Sequence, residues 1–322
     1  MSPAFAARFA ADWQRVWGDD RPVGLAVSGG SDSLALLLLA CAALPGRFAV
    51  ATVDHGLRPE AAGEAAAVAR LCVAWNVPHT TLCLTLAAGS AIQERARDAR
   101  YAALAGWLQG AGLAALVTAH HADDQAETLL MRFNRGAGLR GLAGMRPMAR
   151  VPGHDAPLLR PLLGWRRAEL SEIVALAGVV AADDPSNHDV RYERVRVRQA
   201  LAQADWLDPA AIAASAAHLA EADAALDWAV ARDLHTIAAM PDGLAFDPAD
   251  VPRVLTLRML ERIVMQLAQG TPRGRDLARW HDLLAGGAVA TLAGVRGDGR
   301  ARPWRFTRAP AHRRLRKSEG GA

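Results

Sequence analysis

Two rhythms of apolar and polar positions divide this chain. Through roughly the first 200 residues, short continuous apolar runs of the kind written by buried strands alternate with longer stretches of helical period. Val23 to Val27 reads as a strand that ends in Ser-Gly-Gly, and Leu34 to Ala43 as the helix after it. Phe48 to Val53, Val77 to Leu86 and Leu113 to Ala119 read as further strands. Ala61 to Trp75, Ala91 to Gln109 and Asp124 to Phe133 read as the helices that follow them. This alternation predicts an α/β fold, a parallel sheet wrapped by helices. A glycine-rich link, Gly136 to Gly144, leads to the apolar run Leu158 to Leu162, a helix from near Arg166 and a turn cluster, Asp183-Asp184-Pro185-Ser186-Asn187.

The rhythm changes at Asp208. Asp208 followed by Pro209 is an N-cap with proline at the first helical position, and an alanine-rich helical pattern runs from there to about Ala239. Val251 to Gln269 repeats the helical period, and two β-like runs, Val289 to Leu292 and Trp304 to Thr307, flank a glycine-containing turn. The expected organisation is a sheet domain over residues 1–207 and a smaller, mainly helical domain over 208–322 that ends in a short β-hairpin.

Composition supports two self-standing cores, because 322 residues at 52% hydrophobic exceed one domain at about 150 residues each. Charge changes the picture more. The net charge is only +4, but residues 253–322 hold 15 basic against 5 acidic residues and 132–198 hold 12 against 7. Between them 199–252 are acidic, with 1 basic and 9 acidic residues. A GC-rich genome explains why Lys317 is the single lysine, but it does not explain this segregation of sign. Two basic blocks point to a polyanionic partner larger than a nucleotide, and arginine suits phosphate because its planar fork meets two oxygens at once. Arg8, Asp12, Arg15, Asp19 and Asp20 interrupt any signal-like run, and no apolar stretch is long enough to cross a bilayer. Cys41, Cys72 and Cys83 form no CxxC pair. The expectation is a cytoplasmic protein with reduced thiols and no membrane association.

The chemistry concentrates in Ser28-Gly29-Gly30-Ser31-Asp32-Ser33, directly between a hydrophobic strand and a hydrophobic helix. Glycines let backbone approach an anion, and the N–H groups of the turn and helix N-terminus point at it. Ser28, Ser31 and Ser33 add hydroxyl donors. Asp32 repels phosphate unless a divalent cation lies between, which predicts Mg²⁺ held by Asp32 and phosphate oxygens. The plainer alternative is a serine-rich turn that merely caps a helix. A Walker A loop is excluded, because no Gly-Lys-Ser/Thr occurs here. Asp124 and Glu127, three apart at a helix start, share one face; paired carboxylates there suit an ammonium and a proton to be removed. Acids in a first turn also offset the helix dipole, the competing explanation. Arg97 and Arg100 are similarly spaced, as solvated helix faces often are. His120, His121 and Asp123 imitate a metal cluster, but adjacent strand histidines face opposite ways.

The Ser-Gly-Gly-x-Asp-Ser loop resembles the signature of the N-type ATP pyrophosphatases, the PP-loop enzymes. Four further segments resemble the tRNA(Ile)-lysidine synthase family within them: Val53 to Arg58, Ala96 to Tyr101, Thr118 to Thr128 and Arg135 to Leu142. The resemblance covers roughly residues 20–200. It implies a Rossmann-like PP-loop domain and a ligase that uses ATP and Mg²⁺ to join free L-lysine to C2 of the wobble cytidine in the CAU anticodon of tRNA(Ile). The cytidine oxygen is first adenylated, and the amine then displaces AMP. The phosphate loop would be Ser28, Gly29, Gly30, Ser31, Asp32 and Ser33, with Asp54 and His55 lining the nucleotide pocket. Arg97 or Arg100 would stabilise the α-phosphate, Arg100 being the catalytic choice, and Asp124 and Glu127 would serve lysine. Asp183 to Asn187 and Arg194-Val195-Arg196-Val197-Arg198 resemble two later family segments, although Val195 stands where the family has Asn. Arg97, Arg140, Arg194, Arg196 and Arg198 would grip the RNA, the last three projecting from one side if extended. Arg273, Arg275, Arg302, Arg305 and Arg308 would meet its body, and a homodimer is left open. Competing readings are a tRNA thiolase, disfavoured by the missing CxxC, a non-catalytic adenine-nucleotide module, and an amidating PP-loop synthetase.

Overall fold

The structure, a computed structural model, describes residues 2–56, 59–85, 92–184, 188–268, 270 and 272–310. Leu57, Arg58, Leu86, Ala91, Pro185 to Asn187, Gln269 and Lys317, all named above, lie outside the described residues. The chain divides into two compact units, Met1–Ala220 and Glu221–Ala322.

In the first unit, β1 (Val23–Ala26), β2 (Phe48–Asp54), β3 (His79–Cys83), β4 (Leu116–Val117), β5 (Met148–Arg150) and β6 (Pro157–Leu159) form one sheet in the order β3-β2-β1-β4-β6-β5. Every pairing is parallel except that of the edge strand β5. The helices are α1 (Pro3–Val16), α2 (Ser31–Ala43), α3 (Pro59–Ala74), α4 (Ile92–Gly110), α5 (Ala122–Asn134), the short α6 (Leu139–Leu142), α7 (Arg167–Leu176) and α8 (Glu193–Gln203). α2 is apolar all round because it is covered all round, with Leu34, Leu36, Leu37 and Leu39 fully buried in a core shared with Phe9 and Trp13 of α1 and Ile173 of α7. On the opposite face α4 lies against β1 so closely that a Cβ at Gly24 would meet Trp107 at 2.4 Å. From β1 the chain runs outward to β2 and β3, then returns to place β4 on the other flank of β1. The crevice beyond the carboxyl ends of β1 and β4 is therefore the switch point where ligands bind in open α/β sheets.

α9 (Pro209–Asp233) spans the division between the units. In the second unit, α10 (Arg253–Leu267) and α11 (Gly274–Ala285) accompany a five-stranded antiparallel sheet, and this corrects the expected hairpin. The runs Val289–Leu292 (β9) and Trp304–Arg308 (β11) are both strands, but β10 (Val295–Asp298) lies between them. β8 (Gly243–Phe246) pairs with β11 and β7 (Ala238–Met240) with β8. Phe246, Leu260, Ile263, Trp280, Leu284 and Phe306 form the core of this unit.

A second correction concerns Arg194-Val195-Arg196-Val197-Arg198. This segment is helical, in α8, so its arginines do not project from one side. Arg194 and Arg198 share a face, Arg196 turns away to donate to the carbonyls of Val190 (2.9 Å) and Arg191 (3.0 Å), and Val195 is buried. A core position explains why an apolar residue is tolerated there.

Candidate active site

The loop after β1 takes its shape from one backbone requirement. Gly29 has φ +91°, a left-handed conformation that favours glycine, and a Cβ there would also press on Val68 at 3.4 Å. Gly30 is the N-cap of α2, and Ser33 fastens the turn by donating to Gly30 O (2.8 Å) and accepting from Ser28 N (3.2 Å). Ser31 Oγ reaches Ser171 Oγ of α7 at 3.4 Å. Gly29→Ala should therefore cost about 1–2 kcal/mol of local strain and weaken nucleotide binding; calorimetric titration with ATP checks it.

The loop faces the start of α5. His121, fully buried, is the N-cap of that helix: its Nδ1 accepts from Asp124 N (3.4 Å), and Asp124 Oδ2 accepts from His121 N (3.2 Å). With Nδ1 engaged, Nε2 lies between carboxylates, 3.3 Å from Asp32 Oδ2 and 3.4 Å from Asp124 Oδ2. Burial opposes a charge on this ring, but Asp32 and Asp124 together outweigh it and raise the His121 pKa. For Asp124, burial also opposes the charged form and so acts upward, yet His121, His120 and Arg194 hold its carboxyl below the ordinary range. Asp32 Oδ1 is buried and has no hydrogen-bond partner among the described residues, leaving one hard oxygen free at the phosphate loop. No capping role for His121 was legible in the sequence, because histidine is not among the residues that ordinarily mark a helix N-cap.

Glu127 is 1% exposed and is not free. Arg198 Nε donates to its Oε1 at 2.7 Å, Arg194 Nε stands 3.5 Å from Oε2, and Arg167 Nη2 stands 3.5 Å from Oε1. Arg194 also donates to Thr128 Oγ1 at 3.0 Å. Asp123 serves the frame, accepting from Arg167 N at 2.8 Å and pairing with Arg166, whose other end reaches Asp208. Asp123, Glu127, Arg166, Arg167, Arg198 and Leu207 are among the residues lining a 390 Å³ cavity here. Asp123, Arg166 and Arg167 were not singled out as site residues from sequence.

Around the C-terminal edge of the sheet, Asp54 Oδ1 caps its own turn by accepting from Gly56 N at 2.9 Å. His55 has a buried, unpartnered Nδ1, and burial together with Arg100 lowers its pKa. Arg97 and Arg100 lie 5.2 and 5.5 Å from the Tyr101 ring. His120 is held by Thr118 Oγ1 at 2.8 Å, and burial pushes its pKa down to about 4. Arg140, on α6, is exposed at a distance in sequence from these groups; its loop is fastened to α5 by Arg132, which donates to Gly141 O (2.7 Å), and by Gln125, paired both ways with the Met145 backbone (2.7 and 2.8 Å). The structure thus gathers Ser28, Asp32, Ser33, Asp124, Glu127, Arg194 and Arg198, and leaves Arg196 outside. Arg273, Arg275, Arg302, Arg305 and Arg308 are all exposed in the second unit. No described helix is long and apolar enough to cross a membrane.

Known proteins share these features. The PP-loop domain family model matches residues 2–205. A tRNA(Ile)-lysidine synthase from Novosphingobium aromaticivorans is 60% identical over 98% of this chain and 97% of its own length. One from Zymomonas mobilis is 43% identical over 91% of this chain and 90% of its own. Among solved structures, the U34-tRNA thiolase NcsA from Methanococcus maripaludis superposes with a TM-score of 0.55 at 14% identity, over 68% of this chain and 79% of that one, a likeness of fold.

Proposed function

Since this chain belongs to the tRNA(Ile)-lysidine synthase family of PP-loop proteins, we propose that it ligates free L-lysine to C2 of the wobble cytidine in the CAU anticodon of tRNA(Ile), consuming ATP to AMP and pyrophosphate. The observation that carries this reading is the meeting of the phosphate loop, Asp32 and the Asp124 carboxylate across His121 at the sheet's switch point.

Each step has a group to serve it. The Ser28–Ser33 loop and the α2 N-terminus cradle the phosphates, so that the cytidine O2 attacks the α-phosphate and pyrophosphate leaves. Asp32, whose Oδ1 is buried and unpartnered, would hold a Mg²⁺ ion, which would supply neutralisation of the charge that develops there. Arg100, half-buried and acting on His55, would stabilise the same charge, and Asp54 and His55 would line the nucleotide's side of the crevice.

In the second step the lysine ε-amine must arrive unprotonated at C2, and AMP departs with the oxygen. Asp124 would hold the incoming ammonium, because its carboxyl is kept ionised and the Arg167 guanidinium stands off at 4.0 Å. Glu127 acts differently from the expectation of a matched pair. Its charge is met by Arg198, Arg194 and Arg167, so it positions those arginines at the mouth of the cavity. Residues 1–207 would be catalytic, and 208–322, with their exposed arginines, would hold the tRNA body in the cytoplasm.

Purified protein incubated with ATP, Mg²⁺, labelled lysine and a tRNA(Ile) transcript bearing CAU should transfer label to the RNA. A folded enzyme that leaves the RNA unlabelled sinks this reading.

A further inference from the structure

Arg160 has no part in the mechanism above. It follows β6 directly, and β6 runs parallel to β4 with Leu158 beside Leu116 and Leu159 beside Val117. Thr118 N donates to Leu159 O at 3.0 Å, so Arg160 leaves the sheet alongside Thr118 and His120, at the edge where ligands bind. Its side chain is 9% exposed. Nη1 donates to Arg146 O at 2.8 Å, but Nε is buried without a partner, and no carboxylate stands within ion-pair distance among the described residues.

A buried guanidinium normally has an anion, because leaving its charge unmet costs several kcal/mol. Here other cations surround it instead. Arg97 and Arg100, both at the Tyr101 ring, likewise lack a carboxylate among the described residues. Arg97 repels Arg160, and Arg160 and Arg100 both help to keep the buried His120 neutral.

We propose that Arg160, together with Arg97, binds a phosphate group at the carboxyl edge of β4 and β6. The phosphate would lie off the strand that carries the Ser28–Ser33 loop, β6 being two strand spacings, about 10 Å, from β1. Its source is a backbone phosphate of the RNA beside the reacting cytidine or an outer phosphate of ATP. The choice of RNA rests on the proposed function; the cationic site does not.

Arg160→Gln and Arg160→Lys, each in the full chain, decide it. Anisotropy of a labelled tRNA(Ile) transcript at several salt concentrations, calorimetric titration with ATP, and the thermal midpoint are measured for each. Arg160→Gln is expected to weaken one of the two ligands about tenfold, the worth of a charge-assisted bond, and Arg160→Lys to recover part of the loss. Weakening of RNA alone, with the salt slope reduced by about one, assigns a backbone phosphate; weakening of ATP alone assigns its outer phosphates. Unchanged affinity for both ligands, per folded molecule, overturns the site whether or not the midpoint falls. If Arg160→Gln does not fold, Arg160→Lys decides alone, because an ammonium cannot reproduce the fork and a several-fold loss is still expected. Wild-type protein that binds both ligands but forms no lysidine would overturn the proposed function and leave this site standing.

Discussion

Asp32→Ala should lower lysidine formation about 10³-fold or more, with RNA affinity retained. The expected size is that of losing a preorganised electrostatic partner to developing charge. Two further losses follow from the geometry. Asp32 Oδ1 is a buried oxygen without a partner at the phosphate loop, and the substitution removes it as a metal ligand. Asp32 Oδ2 lies 3.3 Å from His121 Nε2, so its removal also takes away one of the two carboxylates that raise the His121 pKa. Turnover measured across a Mg²⁺ titration, beside anisotropy with the tRNA transcript, checks this. Activity that survives, or that excess Mg²⁺ restores in full, would show that the metal is held elsewhere.

Arg258→Ala should destabilise the Glu221–Ala322 unit by about 3–5 kcal/mol, the cost of breaking a buried ion pair from one side. Arg258 is 7% exposed, and its two nitrogens meet Asp223 and Asp227 on the preceding helix. Asp223 is itself buried, at 3%. A domain of this size holds only about 5–15 kcal/mol in total, so a large share of its stability disappears. Arg258→Met, which keeps the bulk of the stem but not the charge, should fall nearly as far, because the burden is the carboxylate left without its guanidinium. Thermal unfolding followed by circular dichroism distinguishes this from a cavity effect, which Met would largely repair.

The catalytic half was legible because its signals are local. A strand, a left-handed glycine, serines and an apolar helix in immediate succession dictate a phosphate loop without reference to the rest of the chain, and β1 and α2 lie where that pattern placed them. Arg194 to Arg198 misled for an equally physical reason. Alternating Arg and Val carries period two, but the segment is helical, with Glu127 and Thr128 binding residues four apart and Val195 entering a core. Tertiary contacts outweighed β propensity there. The second sheet was only partly visible because β8 and β10 each contain a glycine and β7 contains two alanines, residues of low β propensity, whereas β9, equally short, carries Val, Thr and Leu. The pairing of Glu127 with three arginines was also illegible, since Arg167, Arg194 and Arg198 come from two helices far along the chain.

β4 contributes only Leu116 and Val117 to the sheet, so the chain leaves the central ladder early, and the segment after it buries His121 and Glu127. Groups buried in this way act as a filter on secondary structure for the RNA proposed above. A base paired and stacked within a duplex stays within the helix radius, whereas a nucleotide turned out of a hairpin loop can be brought to buried groups. Selection of an anticodon thus begins before any base edge is read, with the requirement that the target be free to swing away from its neighbours.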